Sequence, residues 1–182
     1  YVDAQHGDTF FPSSIFHYVM PVYRGMGHKL VFHIFLAGVF MAFYLRALRV
    51  SFLPVALGSV AYMLSPVFVS SLFAGQDGRM YVASLAPLVL GALERAVSSG
   101  RTYWFVVLGL SIGLTILSAQ IQMAYHLMWF SGALFLLRWL RTPQAHDGRP
   151  RRLGTLAAFA LSVTLGLAVA SIQLLPAVAY VK

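Results

Sequence analysis

Cysteine is absent from this chain, and carboxylates are scarce, with five Asp and Glu among 182 residues. Without thiols the chain forms no disulfide, holds no Cys-ligated zinc and runs no thiol catalysis. Charged residues of both signs make up 10% of the sequence, whereas a soluble domain carries roughly a quarter. That shortage excludes an ordinary water-facing surface. Also missing are a Gly-rich phosphate loop, a His-Glu-x-x-His pair and a nucleophile elbow, so the common soluble cofactor and hydrolase frameworks have no foothold. The formal net charge of +8 does not indicate a nucleic-acid partner, because the basic residues flank apolar runs instead of gathering on one solvated stripe.

The chain is instead rich in apolar runs of near membrane-spanning length. Hydrophobic residues make up 59% of it, and the mean hydropathy is +0.77. A helix needs roughly 20 apolar residues to cross a hydrocarbon core near 30 Å thick. The expected fold is therefore all-α, a polytopic integral membrane bundle of about six transmembrane helices with an extracytoplasmic interfacial helix. The spans are read at 30–45, 52–73, 80–93, 103–119, 121–140 and 153–175. They divide the chain into an outer segment, 1–29, and a bundle, 30–182. Pro54 and Pro66 fall in the second span and Pro87 in the third, where a proline removes a helix hydrogen bond and kinks the segment. The third span is short, since about 14 residues reach only about 21 Å. Pro176 is expected to stop the sixth.

Sorting the connections by parity puts Arg46, Arg49, Arg95, Arg101, Arg138, Arg141, Arg149, Arg151 and Arg152 on one side. Arg24, Lys29, Arg79 and Lys182 fall on the other. The positive-inside rule makes the first side cytoplasmic, which puts the N-terminal segment outside, and the apolar runs make the bilayer the main partner. Tyr1 in place of an initiator Met predicts a piece of a longer protein. From Phe10 to Tyr23, aromatic residues mix with Ser13, Ser14 and His17, and Pro12 suits a first helical turn. Amphipathic rings favour the headgroup boundary, which predicts a helix lying along the membrane surface.

Asp3, Asp8 and Asp77 fall outside, whereas Glu94 and Asp147 fall inside. Three outer carboxylates could hold a divalent metal or serve as a general base. Solvated loop residues are the plainer reading of the same pattern. Asp77 lies in Gly75-Gln76-Asp77-Gly78-Arg79, a turn in which Arg79 is a partner for a phosphate or for Asp77 itself. Asp8 could equally cap the surface helix. Gln120, Gln122, Tyr125 and His126 cluster at the outer boundary, where polar groups either face a cavity or bond between helices. His33 could ligate a metal or a pigment, although helix-to-helix hydrogen bonding is the commoner role of a lone imidazole. Gln173 reads the same way. Gly109 and Gly113 form a small-xxx-small face that lets another helix approach.

Several short stretches resemble the N-terminal part of YfhO-like bacterial membrane proteins and, more broadly, the C-type (GT-C) glycosyltransferase fold. They are Gly7-Asp8-Thr9-Phe10-Phe11-Pro12, His28-Lys29, Ser65-Pro66, Gly75-Gln76-Asp77, Ala86-Pro87-Leu88, Ala119-Gln120-Ile121-Gln122 with Tyr125, and Gln173-Leu174-Leu175-Pro176. The resemblance implies transfer of a sugar from a polyprenyl-phosphate donor on the extracytoplasmic side. It makes Asp8 the catalytic acidic residue, Asp3 its rival and Asp77 a second-loop acid. Arg79 or Lys29 would neutralise the lipid phosphate; Gln120, Gln122 and His126 are further substrate-binding candidates on their own polarity at the outer boundary. From a different class comes the alternative of a non-catalytic accessory subunit, packed against other membrane subunits of a pigment-binding, photosynthetic or transport complex.

Overall fold

A computed structural model describes residues 10–118, 120–141 and 151–181. Among them the regular structure is entirely helical: α1 (Ile15–Val19), α2 (Val22–Ala47), α3 (Phe52–Met63), α4 (Pro66–Phe73), α5 (Asp77–Ser99), α6 (Thr102–Leu117), α7 (Ile121–Arg141) and α8 (Arg151–Val181). Four helical segments are long and apolar enough to cross a membrane: Val22–Ala47, Phe52–Phe73, Asp77–Ser99 and Leu153–Pro176. The α6 helix is apolar but shorter. The α7 helix has 21 residues and includes Gln122, His126, Arg138 and Arg141.

The helices differ from the sequence reading chiefly at their ends. The third crossing, expected at 80–93 and short for a span, is longer than that: α5 runs for 23 residues, about 35 Å at 1.5 Å per residue. The sequence reading stopped at the polar residues on either side, but a helix continues through Arg79, Glu94 and Arg95 because their side chains need not follow the backbone into hydrocarbon. The α2 helix likewise begins at Val22, eight residues before the expected start. In place of a surface helix from Phe10 to Tyr23 there is a 3-10 turn, Pro12–Ser14, followed by the five residues of α1. Pro176 does not stop α8, which carries it inside the helix.

Pro54 falls in the first turn of α3 and costs no helix hydrogen bond, whereas Pro66 and Pro87 have different outcomes. Pro66 opens α4, and Ser65 caps it by accepting from the Val67 N–H at 3.5 Å, so the Phe52–Phe73 leg is broken between Met63 and Pro66. Pro87 sits within α5. It has no N–H to give to the Ala83 carbonyl four residues back, and the Tyr62 hydroxyl donates to that carbonyl at 2.8 Å. A neighbouring helix thus satisfies the group that proline leaves bare.

Pair contacts set the directions of the legs. His33 meets Ser84 while Phe43 and Tyr44 lie against Gly91, so α2 and α5 run the same way. Gly109 faces Ser162 and Leu165 while Gly113 faces Gly166 and Val169, so α6 and α8 are also parallel. Here the small face read from the sequence works as expected: a Cβ at Gly109 would lie 2.7 Å from the Ser162 carbonyl oxygen, and one at Gly113 would lie 2.8 Å from the Val169 Cβ. Only bare backbone permits that approach.

The α5 helix is the interior element. In its most apolar stretch 61% of residues are buried, against 17–22% in the other three long segments, whose remaining apolar faces point outward. In a chain this hydrophobic, outward apolar faces are suited to lipid. One core cluster gathers Leu93, Leu108, Ile112, Phe135 and Ala170. A second gathers Phe11, Ala37, Phe68, Met80, Tyr81 and Leu85. At one end of the bundle Arg138 pairs with Glu94 at 2.9 Å, and Phe43 stacks on Trp104 at 5.5 Å. The other end holds the polar cluster described next.

Candidate functional site

Residues Lys29 and His33 are one helical turn apart on α2, and Asp77, Tyr81 and Ser84 follow a stripe along α5. Side chains spaced by three or four residues share a helix face, and the parallel packing of α2 and α5 turns these two faces toward each other. The Phe11–Ser14 turn closes over the pair. Lys29 is 0% exposed, His33 and Tyr81 are each 1% exposed, and Phe11, Ser13 and Ser14 are buried too.

Hydrogen bonds fix how this cluster is arranged. The Ser84 hydroxyl donates to the Tyr81 carbonyl at 2.8 Å, so its oxygen faces the His33 Nδ1, 3.0 Å away, as an acceptor. Nδ1 therefore carries the ring proton. Nε2 is then an acceptor, and it takes the proton of the Ser13 hydroxyl at 2.9 Å. Lys29 Nζ donates to Ser14 Oγ at 3.3 Å and lies 4.7 Å from the Tyr81 ring centroid and 5.8 Å from that of Phe11. An ammonium withdrawn from water gains from such aromatic faces. Phe11 stacks on Tyr81 at 5.5 Å, and His33 lies 4.4 Å from the same ring.

Tyr81 connects the buried cation to the start of α5. Its hydroxyl donates to Asp77 Oδ2 at 3.2 Å, and the other carboxylate oxygen accepts the Gly78 N–H at 3.0 Å. Asp77 is half-buried at the start of α5. Its side-chain partners are thus Tyr81 and its own helix terminus, which favours negative charge. The partnership with Arg79 expected from the turn is not formed, and Arg79 points into the open. The α6–α7 connection closes this end: a Cβ at Gly78 would lie 2.8 Å from the Ser118 carbonyl oxygen and 3.4 Å from Gln120 Cβ.

Of the residues singled out in the sequence, Lys29, His33 and Asp77 meet around Tyr81, and Gln120 lies beside Gly78 at the same end. Gln122 and His126 do not join them. Both are exposed on α7, where the His126 Nδ1–H donates to the Gln122 carbonyl within the same helix at 2.7 Å. Asp3 and Asp8 lie outside the described residues. Among the described residues no group of three His, Asp or Glu side chains gathers to hold a metal. His33 takes the helix-bridging role, through Ser84.

Tyr81, Ser84, Ser13 and Ser14 were missed in the sequence. A signal was available in the spacing of Asp77, Tyr81 and Ser84 at i, i+4 and i+7, a polar stripe that appears only once the helix is extended back to Asp77. No family model matches this chain, and no curated protein or solved structure is similar to it.

Proposed function

We propose that this chain crosses the bacterial inner membrane six times, with its N-terminal segment outside, and transfers a sugar from a polyprenyl-phosphate donor to an extracytoplasmic acceptor. Alternating leg directions and the gathering of Arg46, Arg101 and Arg138 near one end support the crossing pattern, and the positive-inside rule supports its orientation. The α6 helix, about 24 Å long, is short for a full crossing, a mismatch that local thinning of the bilayer absorbs at modest cost.

The observation that carries the chemical reading is the pair of opposite charges on one phenol, with the Asp77 carboxylate at the Tyr81 hydroxyl and the Lys29 ammonium over its ring. Inverting transfer needs this combination. A carboxylate takes the proton of the acceptor hydroxyl as its oxygen bonds to the anomeric carbon, and a cation receives the phosphate as the sugar–phosphate bond breaks. Asp8 is the proposed base, with Asp3 its rival, Asp77 the supporting acid, and Lys29 or Arg79 the phosphate partner. Asp8 precedes Phe11 by three residues in the sequence, and Phe11 lies against His33 and Tyr81.

The test is sugar transfer in membranes containing full-length protein, comparing wild type with Asp8→Asn and Asp77→Asn. Loss of a general base is expected to slow transfer by about 100-fold to 10,000-fold while protease mapping still finds the Arg149–Arg152 stretch on the cytoplasmic face. Undiminished transfer by both variants rejects the chemistry, and periplasmic exposure of that stretch rejects the orientation.

A second reading, a non-catalytic subunit of a larger membrane complex, draws support from the closure of the cluster, since Lys29 and His33 are shut off by the chain's own turn. It predicts recovery from mild detergent in one assembly of fixed composition, with both Asp variants assembling normally.

A further inference from the structure

Phe43 on α2 is the hub of a junction between three helices. A Cβ at Gly91 of α5 would lie 2.6 Å from Phe43 Cε1, and Trp104 of α6 stacks on the same ring at 5.5 Å. One helical turn further toward the same end of the bundle, each helix brings an arginine: Arg46 on α2, Arg95 on α5 and Arg101 at the N-cap of α6. The steps agree in direction, since α2 and α5 run toward this end and α6 runs back from it. Residues three or four apart share a helix face, so the three guanidinium groups converge beyond the rings. We infer that this junction binds the head group of an anionic glycerophospholipid from the surrounding bilayer, with its phosphodiester among Arg46, Arg95 and Arg101. The site rests on the reading of the chain as a membrane bundle, but on neither its orientation nor the sugar chemistry, because it lies at the end opposite Asp77 and Tyr81.

The described protein supplies no counter-charge to these arginines. Glu94 is the carboxylate at this end among the described residues, and Arg138 holds it at 2.9 Å. Arg46 and Arg101 are exposed. Arg95 is half-buried, and its Nε is closed off from water with no hydrogen-bond partner among the described residues. A guanidinium does not escape by losing its proton, so an anion from outside has to balance the cluster.

The chemistry of that anion follows from the surroundings. A phosphodiester offers two oxygens to the forked N–H groups of arginine, and basic pockets between helices at a membrane boundary suit such head groups. A choline or ethanolamine head adds a cation that three guanidinium groups repel, whereas a glycerol head adds hydroxyls. The apolar part of the lipid also has a track. Val39, one turn before Phe43 on α2, and Tyr103 and Val106 on α6 are exposed and continue from the arginines along the bundle. Tyr103 leans on Trp104 at 4.7 Å, and amphipathic rings of this kind settle at head-group depth.

Trp104 is a built-in reporter. The chain has three tryptophans, so Trp129→Phe with Trp139→Phe leaves it alone. The full chain is reconstituted in phosphatidylcholine bilayers in which either phosphatidylcholine or added phosphatidylglycerol carries brominated acyl chains, and quenching of Trp104 is followed against mole fraction. A surface arginine is worth about fivefold in affinity for anionic lipid, so half-quenching by phosphatidylglycerol is expected at a mole fraction at least about fivefold lower. Arg46→Gln or Arg101→Gln should remove most of that preference. Arg141→Gln, which deletes the same charge from the exposed end of α7, should leave it. Phosphatidylglycerol retained by the otherwise native chain after delipidation in detergent, counted by native mass spectrometry with and without Arg46→Gln, is a second measurement should the tryptophan background fail to fold.

Equal quenching by the two lipids, or equal retention with and without Arg46→Gln, overturns the site. A loss in Arg141→Gln as large as that in Arg101→Gln overturns a discrete junction in favour of a diffuse basic belt. Removal of the preference by soluble sn-glycerol 3-phosphate overturns the lipid source. Carbonate washing of membranes separates the two levels: release of the chain rejects the membrane reading itself, whereas a chain that stays embedded without lipid preference rejects the site alone.

Discussion

Tyr62→Phe deletes one oxygen atom, and the cost of that deletion should depend on a residue in another helix. In the native chain the Tyr62 hydroxyl donates to the Ala83 carbonyl at 2.8 Å, the carbonyl to which residue 87 would donate were it not proline. Removing the hydroxyl leaves that oxygen without either donor in an apolar setting. Interhelical hydrogen bonds in membrane proteins contribute on average about 0.6 kcal/mol and at most about 1.7 kcal/mol, whereas a buried acceptor stripped of its partner costs about 1–3 kcal/mol. The single substitution is therefore expected to destabilise by about 1–2 kcal/mol, the upper part of the first range and the lower part of the second.

Pro87→Ala returns an N–H to position 87, and the helix can then bond Ala83 internally. In that background Tyr62→Phe should cost less than about 0.5 kcal/mol, so the double-mutant cycle should show a coupling near 1 kcal/mol. Reversible unfolding of the four chains in mixed micelles or bicelles measures it. Equal cost of Tyr62→Phe in both backgrounds would refute the account of why α5 tolerates its proline.

Gly113→Val places a Cβ 2.8 Å from Val169 Cβ and should push α8 off α6 at a cost of about 1–3 kcal/mol, read as a lower unfolding midpoint in detergent. Gly132→Ala on α7, where a Cβ meets nothing within 4 Å, is the control and should be neutral or slightly stabilising because alanine is the better helix former. Glu94→Gln breaks the ion pair with Arg138, whose side chain is 40% exposed against 12% for Glu94. Partial exposure keeps the loss to about 1 kcal/mol or less, and added salt should narrow the difference between variant and wild type.

Tests of the site ask different questions from these stability measurements. The Asp8 exchange addresses chemistry and should leave the unfolding midpoint nearly unchanged; Asp77→Asn also removes a carboxylate from the start of α5 and weakens the bond from the Tyr81 hydroxyl, and the Tyr62 and Gly113 exchanges address packing. Reduced transfer by Gly113→Val with normal transfer by Asp8→Asn would show that the bundle matters and the proposed base does not.

Much of the fold follows from local chemistry. Apolar runs with few charges form helices suited to lipid wherever they occur, and prolines and short polar stretches separate them. That is why α7 and the Phe52–Phe73 leg fall within a residue of their expected limits, and why Gly109 and Gly113 were legible as a contact face. Helix ends were less legible. A charged residue near a boundary looks like a loop by composition, yet its side chain can reach the interface while its backbone stays helical, as at Arg79 and Glu94.

The candidate site was readable only in part, because Lys29, Asp77 and Gln120 belong to three separate elements and Gln122 and His126 have the same polar character as residues that do meet. The sequence by itself determined that a cysteine-free, acid-poor chain would be a bundle of apolar helices with polar groups stranded near their ends. Only the tertiary structure decided which of those groups share an enclosure. The parallel packing of α2 on α5 turns the Lys29–His33 face toward the Asp77–Tyr81–Ser84 face, and the Phe11–Ser14 turn lies over both. Composition acts residue by residue, but enclosure depends on how two helix faces are rotated toward each other, and that is settled by packing between elements far apart in the chain.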